Sequence, residues 1–113
     1  MNDSAASYIY TGADDERVPL NARNVRYTAG ITTIKANAAS NNHRITSVVH
    51  PNSITVIEDE AYYGCMSIDH LRLSSSLQTI GVSSFYECES ITRLELPPTL
   101  HTIERKGFGS CTL

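Results

Sequence analysis

Apolar residues recur along the chain at a constant interval of 23 residues, with polar residues between them. Two of the clearest series are Ile34, Ile57, Ile80 and Ile103, and Cys65, Cys88 and Cys111. Apolar positions that repeat in register with a period of roughly 20 to 29 residues are typical of a solenoid, in which neighbouring coils bury a common core. The pattern therefore predicts stacked coils, and stacked coils bind with a surface more readily than they react in a cleft.

The interval divides most of the chain into four segments of 23 residues each. They are 22–44, 45–67, 68–90 and 91–113. The first segment is degenerate, because Ala39 stands where later segments have an aromatic residue and Asn42 stands where they have a cysteine. A degenerate copy is expected at the end of a solenoid, where a coil has one neighbour instead of two.

The chain before residue 22 lacks the repeat. We expect Met1 to Ser7 to be disordered. Tyr8 to Tyr10 alternates as a strand does, Thr11 to Asp15 has the composition of a turn, and Pro19 ends the segment. Residues 1–21 are thus predicted to be a disordered start followed by a segment that covers the edge of the first coil.

Each segment has three predicted parts. A short strand points its first, fourth and sixth residues inward, as in Ile91, Leu94 and Leu96. A second extended stretch follows, and an aromatic-rich turn ends the coil. In the second segment, the acidic residues from Glu58 onward indicate a single helical turn that Gly64 stops. The predicted fold class is α/β, with parallel strands on one face and short helical turns or irregular coil on the other.

The spacing and residue types resemble those of the BspA-like leucine-rich repeats, a family of 23-residue coils. In the second segment the matching residues are Ile45, Val48, Pro51, Ile54, Ile57, Ala61, Tyr62 and Cys65. In the fourth they are Ile91, Leu94, Leu96, Pro97, Leu100, Ile103, Phe108 and Cys111. The resemblance implies a leucine-rich-repeat solenoid used for protein contact, often displayed on bacterial cell surfaces, without catalytic residues.

Composition and charge narrow the classes of partner. A net charge of −3 disfavours nucleic acid and anionic membranes, because both attract clustered lysine and arginine. No apolar stretch approaches the roughly 18 residues of a membrane span, and no secretory signal is evident at the start. We expect a cytoplasmic protein if the chain is complete. The glycosylation sequon at Asn2 is too short a match to carry an argument.

No motif supports chemistry, so we predict no catalytic residue, no cofactor and no metal site. Asp69-His70 near Ser74 lacks the nucleophile elbow of a hydrolase, and Lys106 to Ser110 lacks the order of a phosphate loop. The histidines lack ligand spacing, and the cysteines lack the CxxC arrangement of zinc or redox sites. The three cysteines instead occupy one coil position, where we expect small inward-pointing fillers.

The outward positions of the first strands form the candidate binding face. Its residues are Arg23, Arg26, Val49, Asp69, His70, Arg72, Arg93 and Glu95. Arginine forks suit the carboxylates of a partner protein. The alternative is a solvated sheet face with cross-strand pairs such as Arg72 beside Glu95. Both interpretations remain open on sequence alone.

Two further features bear on function. His50 replaces an inward aliphatic residue, so we expect it buried between Tyr27 and Leu73, either as a neutral hydrogen-bonded histidine or as an acid-sensitive one. The C-terminal coil has no polar cap, which favours further repeats, self-association through that edge or only marginal stability. The predicted function is a protein-interaction module that binds through the sheet, with a surface adhesin fragment or an assembly element as alternatives.

Overall fold

The computed structural model of the protein describes residues 7–111. The predictions for Asn2 and for the disordered start up to residue 6 lie outside these residues. Ser7, which we expected to be disordered, instead begins the first strand.

Eight short strands form two parallel sheets of four strands each over residues 7–111. In chain order the strands are β1 (Ser7–Tyr10), β2 (Asn24–Tyr27), β3 (Thr33–Ile34), β4 (Ser47–Val49), β5 (Val56–Ile57), β6 (His70–Arg72), β7 (Thr79–Ile80) and β8 (Thr102–Ile103). The first sheet has the order β1-β2-β4-β6 and the second has the order β3-β5-β7-β8. The result is a parallel-strand solenoid of about three turns.

The 23-residue interval seen in the sequence separates residues that are strand partners in successive coils. In the second sheet Ile34 pairs with Ile57, Ile57 with Ile80 and Ile80 with Ile103. Parallel strands lie about 4.8 Å apart, so equivalent side chains of successive coils touch. The first three of these isoleucines are buried, whereas Ile103 in the last coil is 43% exposed.

The cysteines form a second column beside the isoleucines. Cys65 and Cys88 are buried and Cys111 is partly buried, all as free thiols. The Cys65 thiol donates to the Ala39 carbonyl at 3.1 Å, and Cys88 donates to the Tyr62 carbonyl at 3.2 Å. Burial raises the pKa of Cys65 to about 12 and raises the pKa of Cys88 as well. These thiols therefore stay protonated and pack as structural groups.

The predicted helical turns are wrong, because no helix occurs between residues 7 and 111. In the turn of the second segment, the Ala61 N–H donates to the carbonyl of Glu58, three residues back, at 3.3 Å. The Tyr62 N–H instead donates to the Ser84 carbonyl of the next coil at 2.7 Å. In an α-helix, each N–H after the first turn bonds to the carbonyl four residues back in the same segment. Here every second N–H of the turn donates to the next coil instead, so the turn does not form a helix.

The fourth segment does not form its predicted first strand. Residues 91–97 are irregular and have no ladder pairing with β6. Ile91 is buried as expected, but Leu96, predicted to point inward, is 48% exposed. Pro97 does not account for this difference, because Pro51 holds the same coil position and β4 still forms before it. Within the described residues, no later coil holds this stretch from the other side.

The N-terminal segment is tied to the stack by backbone and side-chain bonds. β1 pairs in parallel with β2, and the Tyr10 carbonyl accepts from the Thr28 N–H at 3.0 Å. Asn42, which replaces the cysteine, is fully buried and donates to the Pro19 carbonyl at 2.9 Å. Its side-chain oxygen accepts from the Ile45 N–H at 3.2 Å. The asparagine that makes the first segment degenerate therefore connects it to Pro19 and Ile45 through side-chain hydrogen bonds.

Two positions in every coil adopt a left-handed backbone. They are Asn37, Glu60, Ser83 and Lys106 at the first position, and Asn41, Gly64, Glu87 and Ser110 at the second. Glycine adopts this conformation without steric penalty, whereas a residue with a Cβ atom is disfavoured by roughly 1–2 kcal/mol.

The left-handed backbone at Glu87 generates a stability prediction. Glu87 has a φ of 62°, at the position that Gly64 occupies in the coil before it. We expect Glu87→Gly to be more stable than Glu87→Ala by about 1 kcal/mol in urea unfolding, because glycine removes the steric penalty. The matched control is Gln78, which is exposed and has an ordinary φ; there the alanine variant should be the more stable. An alanine variant at 87 that equals or exceeds the glycine variant contradicts the assignment.

Candidate interaction surface

The sheet face is the outward side of β2, β4 and β6 together with residues 92–95. All eight residues predicted for it are exposed: Arg23, Arg26, Val49, Asp69, His70, Arg72, Arg93 and Glu95. The strand registers set Ile9 beside Arg26 and Val49 beside Arg72. Apolar and basic side chains therefore alternate across neighbouring strands.

The charged side chains of the sheet face make no ion pair with any of residues 7–111. The ion pair found among these residues joins Lys35 to Asp14 at 3.3 Å, away from this face. The predicted pair of Arg72 with Glu95 does not form, because the stretch that carries Glu95 does not pair with β6. Four arginines accompany two carboxylates, so the face is locally basic on a protein of net charge −3.

A groove of about 800 Å³ opens beside β6, where the fourth segment stands away from the sheet. Its walls include Asp69, His70, Arg72, Arg93 and Glu95 from the predicted face. Sequence reasoning missed the remaining lining residues, Asn52, Leu71, Leu73, Ser75, Leu96, Pro97 and Pro98. No sequence signal pointed to them, because the fourth segment keeps the apolar pattern of the segments whose first strands form, and Pro51 holds the coil position of Pro97 without preventing β4.

Hydrogen bonds fix both ends of the stretch that forms the outer wall of the groove. At one end the Ser90 hydroxyl donates to the Met66 carbonyl at 2.6 Å. At the other end the Thr99 hydroxyl lies 2.7 Å from the Leu77 carbonyl and 3.0 Å from the Ser75 carbonyl. Residues 91–98 are thus attached to the stack at each end and separated from β6 between.

The groove side of β6 carries backbone groups without a partner strand. On the opposite side, the His70 N–H donates to the Thr46 carbonyl at 3.2 Å, and the Arg72 carbonyl accepts from the His50 N–H at 3.0 Å. Backbone groups of successive strand residues point to alternate sides. The N–H and the carbonyl of Leu71 therefore point into the groove.

A smaller cavity lies over the second sheet, and the carboxylates that line it are hydrogen-bonded to neighbouring coils. It has a volume of about 270 Å³ and lies over Gly81, beside Glu58 and Asp59. Glu58 accepts from the Ala36 N–H at 3.0 Å, and Asp59 accepts from the Val82 N–H at 2.8 Å. These carboxylates hold neighbouring coils together.

His50 lies in a continuous column of aromatic rings. The ring centroids of Tyr27 and His50 are 5.1 Å apart, those of His50 and Tyr62 are 5.7 Å apart, and those of Tyr62 and Phe85 are 5.1 Å apart. The Tyr62 hydroxyl lies 2.6 Å from the Tyr27 hydroxyl and 2.8 Å from His50 Nε2. The aromatic column thus continues through Tyr27 although Ala39 supplies no ring.

The buried His50 ring is neutral. It is 3% exposed, and its Nδ1 atom has no hydrogen-bond partner among the residues that the structure describes. Burial lowers the pKa of His50 to about 3. The predicted burial is confirmed, and one of the two ring nitrogens is hydrogen-bonded.

Two kinds of site are not found in the part of the chain that the structure describes. Residues 7–111 contain no group of three His, Cys, Asp or Glu side chains arranged to hold a metal ion. The same residues include no helix that is long and apolar enough to cross a membrane.

Two parallel sheets, built from strands of successive coils, define a solenoid repeat protein with an exposed sheet face. The model of the BspA type leucine-rich repeat region (6 copies) matches residues 19–113. The chain belongs to this family. Its fold is similar to that of a leucine-rich repeat protein from Eubacterium ventriosum ATCC 27560, with a TM-score of 0.73 and 20% identity. The match covers 86% of this chain and 30% of that protein. No curated protein matches the chain.

The buried histidine generates a pH prediction. The ordinary imidazole pKa of 6.5 applies to the unfolded chain, whereas the folded value is about 3. Between these values the unfolded state binds the proton more tightly, so the stability present above pH 6.5 is lost as the pH falls toward 3. From pH 7.5 to pH 5 we expect His50 to cost about 2 kcal/mol of unfolding free energy.

The control is His50→Leu, which installs the residue that Leu73 and Leu96 supply at the same coil position. Urea unfolding of both proteins at the two pH values isolates the contribution of the imidazole from that of surface carboxylates. The variant should lose clearly less stability than the parent on acidification. An equal loss in both proteins contradicts the assignment.

Proposed function

We propose that the chain is a non-catalytic protein-interaction module that binds a partner protein through the sheet face. The observation that carries this proposal is the set of exposed arginines without an ionic partner among residues 7–111. An unpaired guanidinium offers a planar fork that binds a carboxylate through two parallel hydrogen bonds. The face is therefore suited to an acidic partner.

Membership of the family and the apolar content of the face support the same proposal. Repeat proteins of this architecture use extended surfaces for binding. Val49 is 45% exposed beside Arg72, and Ile9 is 61% exposed beside Arg26. Arginine is enriched among the residues that contribute most to protein interfaces, and the exposed apolar side chains add area that a partner can bury. The adhesin role is one form of this activity and stays a prediction.

A specific observation favours assembly through the last coil as a second candidate function. Leu96 and Ile103 are 48% and 43% exposed, and β8 is an edge strand of the second sheet. Exposed apolar groups beside an unpaired strand edge favour association with another chain.

The sheet-face proposal predicts the effect of charge reversal. Arg72→Glu combined with Arg93→Glu should reduce capture of partner protein from a cell lysate at least tenfold, because like charges then oppose the acidic partner. The matched control is Arg17→Glu combined with Arg105→Glu, which makes the same change in charge at exposed positions outside this face. Equal capture by the two double variants and the parent contradicts the proposed face.

The assembly candidate predicts a concentration-dependent mass. Sedimentation of the full chain over a concentration series should then show association, and Leu96→Asp combined with Ile103→Asp should abolish it. A monomer at all concentrations contradicts assembly through the last coil and leaves the sheet-face proposal unaffected.

A further inference from the structure

We propose that the groove beside β6 receives an extended segment of the partner protein, which adds to β6 as a further strand. The segment alternates acidic and apolar residues. This inference rests on the proposed function and assigns both the binding position and the chemistry of the partner. It follows from three properties of the groove: the unpaired backbone edge of β6, the charged residues of the outer rim and the apolar residues of the inner side.

The backbone edge selects an extended peptide. The Leu71 N–H and carbonyl point into the groove, since the flanking residues His70 and Arg72 bond to the β4 side. Residues 91–97, whose repeat position is beside β6, do not pair with it. A peptide in strand conformation supplies the missing donors and acceptors, as in other cases where a sheet edge captures a partner strand.

The outer rim of the groove selects acidic side chains. Arg72 and Arg93 lie on its two sides, and neither makes an ion pair within residues 7–111. Asp69 and Glu95 also line it, but the whole sheet face carries four arginines against two carboxylates. Side chains of a strand point alternately to its two faces. Every second residue of the added strand therefore points outward to the arginines.

The inner side of the groove selects apolar side chains at the intervening positions. Leu71 packs against the core there but is only partly buried, and Leu96 on the displaced stretch, which also lines the groove, is 48% exposed. Both side chains remain incompletely covered. Apolar residues of the added strand complete this burial, which is favourable at about 25 cal/mol per Å².

The dimensions of the groove suit a short segment. Its volume of about 800 Å³ lies within the range of roughly 300–1,000 Å³ that small ligand sites occupy. The bonds from Ser90 and Thr99 fix the ends of the displaced stretch against the stack.

The first experiment selects peptides from a displayed random heptapeptide library on the immobilised full chain. Selected peptides should carry Asp or Glu at every second position with apolar residues between. They should bind Arg72→Glu combined with Arg93→Glu at least tenfold more weakly than the parent. Binding to Arg23→Glu combined with Arg26→Glu, on the same face but outside the groove, should change less than threefold. Thermal unfolding of each variant verifies that it is folded.

The second experiment tests the backbone pairing with a selected peptide. N-methylation of alternate amides blocks hydrogen bonding along one edge of a strand. One set of methylated positions should weaken binding at least tenfold, and the complementary set less than twofold. The Leu71 amide should exchange rapidly with solvent in the free protein and slowly in the complex.

Four outcomes overturn the inference. One is a failure of the library to yield peptides that prefer the parent over the Arg72 and Arg93 variant. Another is slow exchange of Leu71 in the free monomer, which means that the fourth segment itself closes the groove. A third is protection of Leu71 on dimerisation, which assigns the groove to a second copy. The last is tolerance of both methylated sets, which leaves side-chain recognition by the sheet face intact and removes strand addition.

Discussion

Each coil depends on its neighbours for hydrogen-bond partners and for burial of its apolar side chains. The residue after each core isoleucine donates its N–H to the isoleucine carbonyl of the preceding coil: Glu58 to Ile34 at 2.9 Å, Gly81 to Ile57 at 2.8 Å and Glu104 to Ile80 at 2.8 Å. A shift of one residue in this register would break the backbone ladder and would also turn the isoleucines away from one another. The constant interval of 23 residues is the sequence form of this constraint.

The repeated inward positions were predictable because they see the same environment in every coil. The isoleucine and cysteine columns, the aromatic stack through Tyr62 and Phe85, and β1 were all evident from period and alternation. The turn was not predicted correctly, because its acidic start resembles a helix terminus. The deciding factor is the bond from the Tyr62 N–H to the Ser84 carbonyl, which lies outside the segment and leaves no local signal.

Positions at the two ends of the stack depart from the repeat for opposite reasons. At the N-terminal end, Asn42 and Tyr27 replace the usual contacts with new ones, the bond to Pro19 and the hydroxyl contact with Tyr62. In the last coil, Leu96 keeps the pattern but loses burial, because residues 91–97 do not pair with β6. A repeat pattern specifies what faces the core and not whether a neighbour is present. For this reason the residues of the sheet face could be named from sequence, whereas the groove beside β6 required the structure.

The most direct test of the account is an NMR measurement of proton contacts between coils. The rings of Phe85 and Phe108 are stacked with centroids 5.0 Å apart, and Ile57 is the strand partner of Ile80. Nuclear Overhauser spectra of the full chain should show cross-peaks between Phe85 and Phe108 ring protons and between the methyl groups of Ile57 and Ile80. Contacts confined to residues three or four apart, with none at the repeat interval, would contradict stacking of the coils.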